Sequence, residues 1–378
     1  MADNLRSARH SVFHRNPKKT LVIFVGIVAL AIDVLTARFL VALTPRGLRV
    51  RSDIYHHDLG PNRVSLFSMY GRNSYAIRTN SLGFRDRSVR EVPLDSNRHR
   101  ILFIGDSFVE GAGIEYEKTF VGLAEDALAQ EGIEVLNAGV SSYSPAIYLA
   151  KINYLVNRLK LKIDEVVVYV DISDAEDDAE YEIDESMRVL YKKRAGSTAE
   201  GDRAKHAHGE TSPRGSLASG AKKLLKENTI LTWMICRSAF HLFLGEEKSV
   251  VRRPRAMWTY DDSAFEEYGR EGVKNMKQNM DRLLAILKEK NIRLTVAVYP
   301  WPDQIMFDSV DSRQAKIWQQ WAEGNNVALI DYFPRFIGGR DAEDVIGQYY
   351  IEDDCHWNEK GHQVIANGFL EHYRQTHQ

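Results

Sequence analysis

Five short apolar runs do most to limit how this chain can fold: "ILFI" at 101–104, "IEVL" at 133–136, "VVVYV" at 166–170, "LTVAVY" at 294–299 and "VALI" at 327–330. They are rich in valine and isoleucine and mostly lack polar alternation, the pattern of strands covered on both faces. Helical patterns lie between them. Within 264–290, Met276, Met280, Leu283, Leu284 and Leu287 share one helix face, and 144–159 and 313–323 also read as helices. Strand–helix alternation predicts an α/β fold with a central parallel sheet and helices on both sides. In such a sheet ligands sit beyond the carboxyl ends of the strands.

The first run ends at that edge in "GDSFVEGAG", 105–113. A P-loop needs G-K-[ST] and a dinucleotide loop needs G-x-G-x-x-G, and neither order is present. A flavin mononucleotide loop, a phosphoryl-transfer aspartate at Asp106 and a nucleophilic Ser107 remain. The last needs a base and an orienting acid from elsewhere. "EDDCHWNEKGH", 352–362, offers both, and it follows the last strand. His356 lies three residues after Asp353 and two after Asp354. A short acidic loop can hold a carboxylate on one imidazole nitrogen and leave the other to take a serine proton.

"GDSF" followed by a distal "DDCHWN…GH" resembles the SGNH/GDSL hydrolase superfamily, over about residues 99–375. It is similar in particular to membrane-anchored members that are polysaccharide O-acetyl esterases or O-acetyltransferases. The resemblance implies a flavodoxin-like three-layer α/β/α fold, an acyl-serine intermediate, an acylated carbohydrate substrate, and no cofactor or metal. It makes Ser107 the nucleophile, His356 the base and Asp353 the orienting acid. Asp354 is the rival acid, because proteins resembling alginate O-acetylation factors use an Asp-x-His spacing before a Trp. Aligning "NAGVSSYS", 137–144, puts the Ser142 backbone at the oxyanion position with Gly139 nearby. In "VDISDAEDD", 170–178, Ser173 stands where the family has asparagine. These departures put rate in doubt and leave a catalytically weak carbohydrate-binding module as a rival reading. Asp171, Asp174, Asp177 and Asp178 read as a solvated acidic loop. Trp301, at the end of the fourth strand, and Trp357 either stack on a sugar ring or pack in the core.

Ahead of this domain, "TLVIFVGIVALAIDVLTARFLVAL", 20–43, is mostly apolar. At ~1.5 Å per residue it reaches ~36 Å, enough for a ~30 Å hydrocarbon core. Asp33 is costly there, and Arg38 can snorkel to the nearer interface. An uncleaved anchor is expected, with a cleaved signal and a buried helix as the alternatives. Arg6, Arg9, Arg15, Lys18 and Lys19 precede it; Arg46, Arg49 and Arg51 follow it. That bias predicts a cytoplasmic N-terminus and a catalytic domain outside a bacterial inner membrane, in the periplasm of a Gram-negative cell. The expected plan is a tail at 1–19, an anchor at 20–43, a β-rich extension at 44–98 and a hydrolase domain at 99–378. A polar, basic stretch at 192–225 reads as a flexible insertion. "TILTWMICRSAFHLFL", 229–244, reads as a packing helix that caps a substrate groove. His56-His57 reads as a surface pair. Fifty Lys and Arg against 52 Asp and Glu leave a net charge of −2, which argues against nucleic acid as a partner. Acyl transfer would call for a membrane-bound acyltransferase as partner. Two cysteines, Cys236 and Cys355, are too few for a disulfide framework, although one bridge between them is allowed.

Overall fold

The computed structural model describes residues 16–43, 47–70, 73–192, 229, 232 and 254–377. The insertion expected at 192–225 lies outside them apart from Lys192, as do Cys236 and all of 229–244 except Thr229 and Thr232. The chain forms two units, Met1–Arg46 with Thr198–Glu247, and Gly47–Ser197 with Lys248–Gln378.

The first unit is built on helix α1, Pro17–Leu43. Its 27 residues at ~1.5 Å each give a rod of ~40 Å, long and apolar enough to cross a membrane. Leu21, Ile23, Phe24 and Ile27 are all exposed. Asp33 is buried, and its Oδ2 accepts the backbone N–H of Thr232 at 2.7 Å. A buried carboxylate with a donor costs far less than a bare one. Thr232 belongs to the stretch 229–244, most of which lies outside the described residues.

In the second unit the five apolar runs become strands within one residue of their expected bounds: β6 (Arg100–Ile104), β7 (Glu134–Asn137), β8 (Glu165–Val170), β11 (Arg293–Val298) and β12 (Ala328–Asp331). All neighbouring pairs are parallel, in the spatial order β7-β6-β8-β11-β12. Numbered by appearance this is 2-1-3-4-5, the flavodoxin-like winding. Helices α3 (Phe120–Ala129) and α8 (Glu359–Thr376) pack together on one side, where Phe103 meets Phe120 and Phe369. Helices α4 (Pro145–Asn153) and α6 (Arg270–Glu289) pack together on the other, with α7 (Arg313–Asn325) joined to α6 by a Trp321–Asp281 hydrogen bond.

The β-rich extension is not a separate body. Its strands β3 (Val64–Tyr70), β4 (Asn73–Thr79) and β5 (Arg85–Asp86) continue the main sheet antiparallel from β7, making eight strands in all. Strands β1 (Arg49–Ser52) and β2 (His56–Leu59) form an antiparallel ribbon, as do β9 (Tyr181–Ile183) and β10 (Val189–Tyr191). The ribbon β1–β2 is tied to the core by Lys151 of α4, fully buried, whose Nζ donates to Asp58 at 2.8 Å and to the Tyr143 hydroxyl at 3.1 Å. His57 is half-buried and not a free surface residue: its Nε2 lies 2.7 Å from the Ser141 carbonyl.

Candidate active site

Strand β6 leads into Gly105, Asp106 and the one-turn helix α2, Ser107–Glu110. Only glycine fits at 105: a Cβ there would lie 2.4 Å from Val109 Cγ2 and 3.0 Å from the Tyr169 carbonyl. Asp106 caps the turn by accepting the Phe108 N–H at 2.9 Å, and Gly111 closes it at φ +79°. The turn therefore lifts Ser107, half-buried, to the carboxyl edge of the sheet. Burial and the neighbouring Asp171 push the Asp106 carboxyl well above the usual carboxylate range.

The second segment meets it there. Ser107 Oγ lies 2.7 Å from His356 Nε2. On the other side of the ring, Nδ1 lies 2.5 Å from Asp354 Oδ1, which also accepts the His356 backbone N–H at 3.0 Å. The carboxylate on the imidazole is therefore Asp354, not Asp353. Asp353 sits at φ +59° as the exposed apex of the turn, so the residue after it is the one that folds back on His356. Phe108 stacks on the imidazole at 4.5 Å and fixes its plane. Burial works against the imidazolium, but Cys355 and Asp354 beside Nδ1 outweigh it and raise the His356 pKa well above 6.5. Asp354 is the charge we hold responsible. Only the neutral ring can accept the serine proton, so kcat/KM should rise with pH through an apparent pKa above 6.5. Asp354→Asn should move that limb to lower pH; a pH profile of ester turnover for both proteins checks it.

The loop after β7 carries the expected oxyanion donor. Ser142 is exposed at φ +64°, the backbone region that a glycine takes without cost. Among the described residues neither the Ser142 nor the Ser107 N–H has an acceptor. The loop is pinned next door, where the Ser141 N–H donates to Glu110 at 2.7 Å and Arg49 lies 2.6 Å from the same carboxylate. Burial raises the Glu110 pKa, but Arg49 and the Ser141 N–H outweigh it and leave Glu110 below its usual value. Because Ser142 would act through its backbone, Ser142→Gly should keep turnover within about 3-fold. It also relieves a left-handed penalty of ~1–2 kcal/mol, partly offset by ~0.5–1 kcal/mol of glycine entropy. Steady-state rates and a melting curve read both effects, and a 100-fold loss of rate would contradict the backbone role.

Gly139 does not serve as a donor here, because its N–H is committed to Asn137 Oδ1 at 3.0 Å. Ser173 opens helix α5 (Asp174–Glu180) after β8. Its N–H donates to Asp171, and its hydroxyl makes no hydrogen bond to Ser107. The acidic loop is not solvated. Asp171, Asp174 and Asp178 are fully buried. Asp171 takes the Ser173 N–H and the Trp301 indole, Asp174 the Tyr148 hydroxyl, and Asp178 the Ser144 hydroxyl, the Ala146 N–H and Asn279. Trp301, 4% exposed, and Trp357, 0% exposed, are packing residues with no face open to a sugar. Trp357 lies against Phe108 and Tyr299 at 4.6 and 4.7 Å.

Tyr70 is the residue that sequence reasoning missed. At the end of β3, its hydroxyl lies 2.8 Å from His356 Nδ1 and 3.4 Å from Asp354 Oδ1. Glu110 was also missed, although a carboxylate three residues after Ser107 in an apolar turn was a visible signal. Cys355 is buried, and its Sγ lies 3.6 Å from His356 Nδ1.

No family model and no curated protein matches the chain. Among solved structures it is similar to a psychrotrophic esterase from Pseudoalteromonas, at 14% identity and TM-score 0.38, over 73% of this chain and 97% of that one. A lipase/acylhydrolase from Enterococcus faecalis matches at 12% and 0.39, over 72% and 94%. A catalytic mutant of an acetylxylan esterase from Geobacillus stearothermophilus matches at 14% and 0.37, over 74% and 96%. These likenesses are distant, and the strand order and the side-chain geometry stand independently of them. What the chain's own structure establishes is a flavodoxin-like α/β fold that brings a serine, a histidine and an aspartate into one hydrogen-bonded line at the carboxyl edge of its sheet.

Proposed function

We propose that this chain is a serine esterase of the SGNH type that cleaves O-acyl esters, acetyl foremost, on a cell-envelope or exported polysaccharide. The observation that carries the reading is the 2.7 Å contact between Ser107 Oγ and His356 Nε2, with Asp354 on the opposite ring nitrogen. Ser107 Oγ attacks the ester carbonyl carbon while His356 takes its proton. The developing oxyanion is received by the Ser107 and Ser142 N–H groups, with the Ser173 hydroxyl as the third donor. Losing one such donor raises the barrier by roughly 2.7–4 kcal/mol. The C–O bond to the leaving alcohol breaks as His356 returns the proton. Water, deprotonated by the same imidazole, then releases the acid and regenerates Ser107.

The envelope assignment rests on sequence: the apolar stretch at 20–43, read as an uncleaved inner-membrane anchor, and the cationic bias of its N-terminal flank support a catalytic unit outside the cytoplasm. An assembled serine–histidine–aspartate line is more than a carbohydrate-binding module needs. Labelling by a fluorophosphonate, followed by assay of acetate release from acetylated oligosaccharides, tests the reading. A protein that binds the sugar but takes no label would overturn it. Repeating the assay with an acceptor sugar separates hydrolysis from acyl transfer.

A further inference from the structure

At the amino edge of the sheet, the pole opposite Ser107, three residues from distant parts of the chain converge. His99 precedes β6, Glu165 opens β8, and His377 follows α8. The candidate ligand atoms of the three lie within 4.8 Å of one another. We propose that His99, Glu165 and His377 form a site for a divalent transition-metal ion of the zinc class.

Two buried atoms point to a ligand. Glu165 Oε1 accepts the Thr295 hydroxyl at 3.1 Å, but Oε2, on a side chain only 3% exposed, has no hydrogen-bond partner. His99 Nε2 is likewise buried and unpartnered. His377 supplies the third group in an oriented form. Its Nδ1 donates to the Tyr373 carbonyl at 2.9 Å, and its ring stacks on Tyr373 at 3.9 Å. That bond leaves the lone pair on Nε2, which lies 3.3 Å from Glu165 Oε2. Two acceptors face each other there. Fixing one ring nitrogen through a carbonyl is how ligating histidines are commonly oriented. A cation between Glu165 Oε2 and the two Nε2 atoms would satisfy all three.

Two imidazoles and a carboxylate suit zinc, with a fourth position left for water. Bonds of ~2.0–2.2 Å require the ligand atoms to draw closer than they stand. His99 is half-buried, with its Nδ1 3.9 Å from Asp164 Oδ2, and a small turn of its ring brings Nε2 closer. Arg293 opposes the ion: this exposed residue's Nη1 now donates to His377 Nε2 at 2.5 Å. The guanidinium must leave for the ion to bind. Once bound, the ion would clip the end of α8 to the starts of β6 and β8.

The test is calorimetric titration of metal-stripped full-length chain with Zn²⁺ near neutral pH, together with melting curves. One saturable site and a raised melting temperature are expected. His99→Ala and His377→Ala should each weaken binding by more than ~10-fold, the scale reached when even an outer partner of a metal ligand is lost. Arg293→Ala should tighten binding, because it removes the competing donor. Neither histidine variant should change ester turnover in the absence of metal. Asp354, Cys355 and His356 could also hold an ion, but binding there would inhibit turnover and survive His99→Ala. Absence of saturable binding, or equal affinity in wild type and both histidine variants, overturns the proposal.

Discussion

Ser107→Ala should reduce ester turnover by on the order of 10⁴–10⁶-fold and abolish fluorophosphonate labelling. The serine oxygen is the atom that forms the acyl bond, and no neighbouring hydroxyl stands in its place. Tyr70 is on the far side of the imidazole, and the Ser142 side chain is exposed. The fold should tolerate the change. Ser107 is half-buried, and among the described residues its hydroxyl contacts only His356 and, at 3.4 Å, Asp106. The cap that holds the turn runs from Asp106 to the Phe108 N–H and does not involve the lost oxygen. The melting temperature should therefore stay close to that of the wild type while turnover collapses. Residual catalysis from the oxyanion donors alone sets the floor. Turnover within 10-fold of wild type, or label retained by the variant, would mean that another residue is the nucleophile.

The strands were legible because burial on both faces leaves one composition available to them, and β6, β7, β8, β11 and β12 were each read to within a residue. Ser107 was legible because it directly follows such a strand, and His356 because its acidic, aromatic neighbours stand out after the last one. What lay out of reach was decided by contacts between remote residues. Asp353 and Asp354 are the same chemical group one position apart, and the choice between them is a backbone dihedral that composition does not encode. The acidic run at 171–178 carries the charge density of a surface loop, yet its partners are Trp301, Tyr148, Ser144 and Asn279, all elsewhere in the chain. Trp301 reads the same whether its face is open or covered, and only the covering residue Phe108, 6.2 Å away, tells them apart. Tyr70 lies 286 residues before His356. Nothing local in a polar, turn-rich segment announces that its hairpin continues the sheet and reaches the catalytic ring.

The Asp354→Asn variant should lose about 10⁴-fold in kcat, whereas Asp353→Asn should stay within a few-fold of wild type. Asp354 Oδ1 receives both the backbone N–H and the Nδ1–H of His356. That pair of bonds holds the ring in the tautomer whose Nε2 is free to accept from Ser107, and the charge stabilises the imidazolium that forms. An asparagine presents either a neutral oxygen, which loses the charge, or an N–H, which repels Nδ1–H and favours the wrong tautomer. Asp353, exposed at the apex of the turn, bears on the chemistry only through the shape of that turn. Tyr70 makes the comparison sharper, because its oxygen is also within 2.8 Å of Nδ1 and can accept the proton left without a partner. Tyr70→Phe alone should then cost about 10-fold or less, with Asp354 still in place. In the Asp354→Asn background it should remove a remaining oxygen acceptor and cost more than it does in the wild type, a coupling of the kind double-mutant cycles detect between groups sharing one partner. Equal effects in the two backgrounds would make Tyr70 a packing neighbour, and a large loss in Asp353→Asn without one in Asp354→Asn would exchange the roles of the two carboxylates.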